Sequence, residues 1–444
     1  MSESQKTGLL NRIPAESSML IVLVMMIAVL SALTMKQQNP AGADAGQQVG
    51  ATLAAGGAKG SIAIVAEKSP LGKAFVDGVT IELKDAGIQP VAVIIGEPGD
   101  ARRELTSLVE GGTNVDAIAV TAISGAWPVY NKVPTISSEL CVQAESYMWP
   151  TFARADNIIS VANQTAIYAI IAIGMTMVII TAGIDLSVGS MVALSAVTAA
   201  LFISENGGTD ASVAAVGIAC LLAMLMCSAA GLVNGIVITQ LRVPPFIATL
   251  AMMMVARGLA RRMSGDESIS ALPDSYLWIG TQSTLGLPNP IIIMIVLYLI
   301  AHVTMSRTVF GRYVYSVGGN PEAARLSGVR VRLVTLTVYA ICGALAGLGG
   351  IMQSSKLQSG DPKLGSLLEL DVISAVVVGG TSLMGGQGRI VGTLIGAFII
   401  AIIKNGMNLM NVEDDIQAIV QGGVILAAVV FDNYKRGALK MTSG

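Results

Sequence analysis

Long apolar runs broken by short polar stretches dominate this chain. They cover residues 19–35 and then about 163–182, 187–204, 212–239, 245–263, 289–305, 333–352, 370–384, 389–410 and 416–432. A helix needs about 20 apolar residues to cross roughly 30 Å of hydrocarbon. The pattern therefore predicts an all-α polytopic membrane protein of about ten transmembrane helices. Residues 1–18 are polar, with Lys6 and Arg12, which is long for a secretory leader. Ala41-Gly42-Ala43 permits cleavage, but an uncleaved first span is the better reading.

Residues 41–155 follow a different rhythm. The stretch 41–156 holds 21 charged residues, and no uncharged run in it could span a bilayer. Short apolar runs at 61–66, 90–95 and 116–121 read as strands, with a fourth at 133–136. Between them, 71–86 reads as an amphipathic helix carrying Phe75, Val79, Leu83 and Ala86 at helical spacing, and 102–110 as another. Strands alternating with helices imply βαβ units around a parallel sheet. The expectation is a small α/β module inserted after the first helix, with 42–60 and 141–155 as flexible connections. The permeation part then runs from 156 to 444.

Charge gives the topology. With the N-terminus inside, the outside loops hold Glu205 and Asp210, then Asp266, Glu267 and Asp274, then Glu413, Asp414 and Asp415. The inside loops hold Arg242, a basic island at 306–332, Arg389 and the tail residues Lys435, Arg436 and Lys440. This satisfies the retention of Lys and Arg on the cytoplasmic side; Arg261 and Arg262, near an outside end, strain it. Both termini then lie in the cytoplasm, and the α/β module lies outside.

Composition narrows the class further. The chain is 53% hydrophobic and only 13% charged, against roughly 25% charged in soluble proteins. A net charge of −2 gives no argument for nucleic acid. Cys220, Cys227 and Cys342 fall in spans and Cys141 stands apart, so no disulfide framework or metal pair is suggested. The single histidine, His302, sits near a span end, and no nucleotide-binding or hydrolase motif occurs.

Two polar breaks interrupt the apolar pattern. One is 183–190 (GIDLSVGS), where Asp185 and Ser187 either cap a helix start or line a pathway. The other is 379–388 (GGTSLMGGQG), where Thr381 and Ser382 lie in backbone that must be satisfied within protein. Asn234 and Asn405 are polar residues inside spans, where the ordinary use is a hydrogen bond between helices; Asn234 joins Asp185, Ser187, Thr381 and Ser382 as a candidate pathway group.

The island 306–332 carries five arginines against one acid, Glu322. Pro321 suits a first helical turn, Glu322 the positive end of a helix, and Gly328 its stop. A short helix presented to the cytosol follows.

Glu322-Ala323-Ala324-Arg325-Leu326-Ser327-Gly328 resembles the coupling signature of ATP-binding cassette importer permeases. Around it, GIDLSVG at 183–189, VPPFIATL at 243–250, Ala256-Arg257-Gly258, VGGNP at 317–321 and VGGTSL at 378–383 are similar to the monosaccharide branch of that family, which imports ribose, xylose, galactose or autoinducer-2. The resemblance covers about 155–435. It implies a permease in the bacterial inner membrane, not an enzyme, with no cofactor of its own. It also implies a partner ATPase carrying ATP and magnesium, a periplasmic substrate-binding protein, and a second copy of the chain. Asn320, Pro321, Glu322, Ala323, Ala324, Arg325 and Gly328 would form the ATPase-coupling segment. The inserted module resembles part of the N-terminal lobe of periplasmic sugar-binding proteins, through 70–78 (PLGKAFVDG) and Val115-Asp116-Ala117-Ile118. It is under half the length of such a protein, so a docking or sensing role is expected of it. A secondary transporter with an accessory domain and a transmembrane ligand sensor remain as alternatives. The first would need paired coupling-ion residues in its spans, and the second a cytosolic effector domain.

Overall fold

A computed structural model describes residues 15–56 and 61–424, with 426, 427 and 430. The expectations for the first fourteen residues and for the tail beyond 430 lie outside the described residues. The chain divides into two compact units, 35–150 and the remainder.

Helix α1, Ala15–Leu33, opens the larger unit. The smaller unit then runs β1 (Met35–Gln38), α2 (Gly42–Ala55), β2 (Ile62–Glu67), α3 (Pro70–Asp85), β3 (Ala92–Gly96), α4 (Pro98–Glu110), β4 (Ala117–Val120), the single turn α5 (Ala122–Gly125), β5 (Cys141–Val142) and β6 (Tyr147–Pro150). Four strands form one parallel sheet in the order β3-β2-β4-β5, while β1 and β6 pair antiparallel. Both faces are covered at the central strands β2 and β4, while β3 leaves Val93 and Ile95 exposed. Ile62, Ile64 and Ala66 pack with Phe75, Val79 and Leu83 of α3, and Ala63 and Val65 pack with Ala101 and Leu105 of α4. Alternation along β2 thus feeds two cores, as expected for a parallel sheet.

Three expectations for this unit are corrected. The glycine-rich stretch 42–60 is a helix over much of its length, because Ala45, Val49 and Leu53 recur at helical spacing and bury against α3. Small residues make that contact: a Cβ at Gly46 would lie 2.9 Å from the Val79 nitrogen. The fourth strand is Cys141–Val142, with 133–136 irregular around Thr135, whose φ is 62°. The stretch 141–155 is therefore not merely a connection.

The larger unit continues with α6 (Ala155–Ile180), α7 (Val188–Glu205), α8 (Val213–Gln240), α9 (Pro245–Ser264), the short α10 (Asp274–Leu277), a hairpin of β7 (Ser283–Thr284) and β8 (Leu287–Pro288), α11 (Asn289–Arg307), α12 (Val309–Gly319), α13 (Pro321–Leu326), α14 (Val331–Leu357), α15 (Leu368–Val378) and α16 (Ile390–Leu409). Among the described residues, α6, α7, α8, α11, α14 and α16 are long and apolar enough to cross a membrane. The run at 245–263 is α9, which carries Arg257, Arg261 and Arg262 and is not among the six. The run at 370–384 is not one helix. Helix α15 has 11 residues, about 16 Å at 1.5 Å per residue, and stops at Gly379, before Gly380 at φ 79°. The last run, 416–432, lies partly outside the described residues; its backbone is helical over 414–424.

Helix α14 is the axis of this unit, wrapped by α6, α7 and α8. Glycines bring the backbones together: Cβ atoms added to Gly343 and Gly350 would land on the carbonyl oxygens of Cys227 in α8 and Val192 in α7. In hydrocarbon, where apolar burial does not drive association between helices, such small-residue seams supply the packing.

Candidate functional site

The coupling segment is built from local signals. Asn320 caps α13, its Oδ1 accepting from the backbone N–H groups of Glu322 and Ala323, both at 3.0 Å. Pro321 occupies the first helical position, as expected. Gly328, at φ 87°, ends the turn, its N–H donating to the Arg325 carbonyl at 3.0 Å. No atom lies within 4 Å of a Cβ there, so this glycine is required by conformation, not by space. Ala324 is buried, while Pro321, Glu322, Ala323, Arg325 and Leu326 face outward. Arg325 donates to Glu322 at 2.5 Å, and that hydrogen bond holds the Glu322 carboxyl below its ordinary range.

Helix α12, which leads into this segment, packs on the second polar break and on the end of α6. Tyr315 donates to the Gly388 carbonyl at 2.8 Å, and Gly386 N–H donates to the Ile180 carbonyl at 2.8 Å. Gly318 lies so close to that carbonyl that any side chain would collide with it.

Asp185, Ser187 and Asn234 converge. Asp185 is fully buried, and its Oδ1 accepts from both the backbone N–H (2.9 Å) and the hydroxyl of Ser187. Asn234 of α8 donates to that hydroxyl at 3.1 Å. Asp185 Oδ2 has no partner beyond the weakly donating thiol of Cys342, and the Tyr339 hydroxyl is also buried without one. The carboxylate orders the turn before α7 and reaches no open surface of the chain. Thr381 and Ser382 are buried in the other break: Ser382 N–H donates to the Gln387 carbonyl at 3.0 Å, and Thr381 Oγ1 is unpartnered. The five candidate pathway residues thus form two separate interior groups.

A model of the family of branched-chain amino acid transport system permease components matches residues 157–429. The chain belongs to this permease family. Among its relatives, the ribose import permease protein of Escherichia coli (strain K12) is 41% identical over 315 residues, 70% of this chain and 96% of that protein. The ribose import permease protein of Bacillus subtilis (strain 168) is 42% identical over 305 residues, 68% and 92% of the two chains. The L-arabinose ABC transporter permease protein of Azospirillum brasilense is 37% identical over 316 residues, 71% and 91%. No solved structure matches the chain. As a permease component it is a membrane transporter subunit, not an enzyme, and carries no cofactor itself.

Three sets of polar residues in this permease find their partners only in the fold. Arg257 of α9 donates through Nη1 to the carbonyls of Pro362 (2.7 Å) and Leu364 (2.6 Å). Lys404 of α16 grips both oxygens of Asp371 in α15, at 2.7 and 2.6 Å. Asn157 and Asn405 exchange amide hydrogen bonds of 3.0 and 2.9 Å between α6 and α16, the interhelical use expected of Asn405. The signal for the first two was a charged residue inside or beside an apolar run, and only the fold shows what each one touches.

Proposed function

We propose that this chain is the membrane-spanning subunit of an ATP-binding cassette importer for a monosaccharide or similar small polyol. Two copies enclose the path, and each docks its α13 on a separate ATPase subunit carrying ATP and magnesium. The supporting observation is α13 itself, a capped and outward-facing helix with Glu322, Arg325 and Leu326 exposed, entered from α12, whose Tyr315 donates to the Gly388 carbonyl. The ribose and arabinose relatives support a sugar as the cargo. A periplasmic binding protein delivers it, and the α/β module, on the periplasmic side, docks or senses that partner. Helices α1, α9, α15 with the stretch after it, and the helix starting at 414 add to the six long spans to make ten crossings of the inner membrane, with both termini in the cytoplasm.

The test is purification of the wild-type chain from detergent with its neighbouring gene products. An ATP-binding subunit should co-purify. Glu322→Arg combined with Gly328→Val should leave the chain in the membrane and break the link between ATP hydrolysis and sugar uptake. Repeated recovery of intact chain without any ATP-binding subunit sinks the importer reading.

A further inference from the structure

The stretch between α14 and α15 does not stay at the end of its helices. Gly360 packs on α7 near Ala196 and Ala200, with a would-be Cβ 2.8 Å from the Ala196 carbonyl oxygen. Gly365 packs on the same helix at Val192 and Gly189. The segment therefore runs down α7 for about 11 residues, roughly 16 Å at 1.5 Å per residue. Gly189 itself is 16 residues from Glu205 at the far end of that apolar helix, about 24 Å. Irregular backbone at such depth is tolerated only where it is enclosed by protein or lines a water-filled cavity.

Arg257 holds the segment there, its guanidinium engaged by the Pro362 and Leu364 carbonyls. The exposed positions of the segment are two polar residues and Leu367. Lys363 and Ser366 are exposed, and Asp361 is half-buried. Charges at this depth do not face lipid. Glu369, in the first turn of α15, lies over Gly189 within electrostatic range of Arg257 and Asp371. No protein side chain donates a hydrogen bond to its carboxylate among the described residues. Its own backbone N–H takes part of the carboxylate's capacity, and the rest is left for a ligand beside the segment, a placement that none of the candidate pathway residues named from sequence has.

We propose that segment 360–367, pinned by Arg257, forms one wall of the translocation path, and that Glu369 accepts hydrogen bonds from hydroxyl groups of the passing sugar. The assignment rests on the importer reading. A carboxylate accepts two neighbouring hydroxyls of a neutral monosaccharide and repels a sugar phosphate or sugar acid. Glu369 is thus a specificity-determining residue.

Two measurements test it on the full chain. The first is thiol labelling of the purified permease in vesicles, with Cys141 and Cys220 replaced by serine. Ser366→Cys should react with a charged, membrane-impermeant thiol reagent at least tenfold faster than Leu222→Cys on the exposed apolar face of α8. Equal, slow rates overturn the water-filled wall, whether or not an ATPase is present. The second is uptake of ribose and of ribose 5-phosphate by the assembled transporter in proteoliposomes. Glu369→Gln should lower ribose uptake about tenfold, the scale of one hydrogen bond to a charged group, and narrow the preference over the phosphate. Glu369→Asp should restore part of the ribose rate, and ATPase recovery on purification should match wild type in both. Uptake and preference unchanged in Glu369→Gln overturn the assignment; loss of the ATPase from the wild-type preparation would instead fail the importer reading.

Discussion

The coupling segment and the Asp185 turn are both polar interruptions of an apolar chain, yet they are held by opposite means. The 320–328 segment closes on itself: Asn320 caps it, Gly328 ends it, and Glu322 pairs with Arg325 three residues away. Residues 183–187 depend on distant helices. Asn234 of α8 holds Ser187, Thr249 of α9 donates to the Ile184 carbonyl at 3.1 Å, and Tyr339 and Cys342 of α14 crowd Asp185. A self-contained exposed helix can be offered to a partner without disturbing the bundle. A buried turn satisfied by three other helices reports on how those helices are packed, and α12 joins the two regions.

That joint is the place where the contrast should break most severely. Gly318 belongs by sequence to the coupling side, but its backbone rests on the Ile180 carbonyl before the buried turn. Gly318→Val should cost about 3 kcal/mol or more, since neither backbone can yield to overpacking. Loss of folded protein in size-exclusion profiles checks it, and a wild-type profile would show the joint to be loose.

Within the buried turn, Asp185→Ala should cost about 2 kcal/mol by orphaning the Ser187 N–H and hydroxyl. Asp185→Asn keeps the Oδ1 acceptor for both Ser187 groups, so it should stay within about 1 kcal/mol of wild type. Thermal unfolding in detergent separates the two; equal losses would mean that the charge itself matters.

In the exposed helix, Asn320→Ala should cost about 1 kcal/mol, the usual value of an N-cap. The loss should appear as faster amide exchange confined to 321–328, with the global unfolding temperature unmoved. A global shift would erase the distinction between the regions.

The smallest effect concerns pH. The Glu322 carboxyl is held below its ordinary range by Arg325, chiefly through their hydrogen bond. Its contribution is therefore present above the free carboxylate value of about 4.3 and lost as pH falls through the lower, paired value. Exchange protection of α13 should be level from pH 8 to about 5 and fall only below about 4. A loss already near pH 6 would point to another group.

Much of the fold was legible, and the reasons are local. Apolar runs announced α6, α7, α8, α11, α14 and α16 because a helix satisfies its own backbone groups in lipid. The 3.6-residue spacing of Phe75, Val79 and Leu83 announced α3. Helix α2 was missed because its alanines and glycines look like a linker until α3 supplies the face they pack on. The apolar run at 370–384 was drawn through the break at 379–388, and the helix in fact ends where that break begins, at Gly379.

The amino-acid sequence by itself determined that this is a membrane permease with a short helix displayed at 320–328, since caps, stop signals and apolar length act over a few residues. Only the tertiary structure decided which polar groups meet. Arg257 and the Pro362 carbonyl are 105 residues apart, Lys404 and Asp371 are 33 apart, and Ser187 and Asn234 are 47 apart. Such pairs follow from how closely the elements pack, through glycine contacts such as Gly396 on the Ala375 carbonyl and Gly365 on Gly189, and no local pattern encodes that distance.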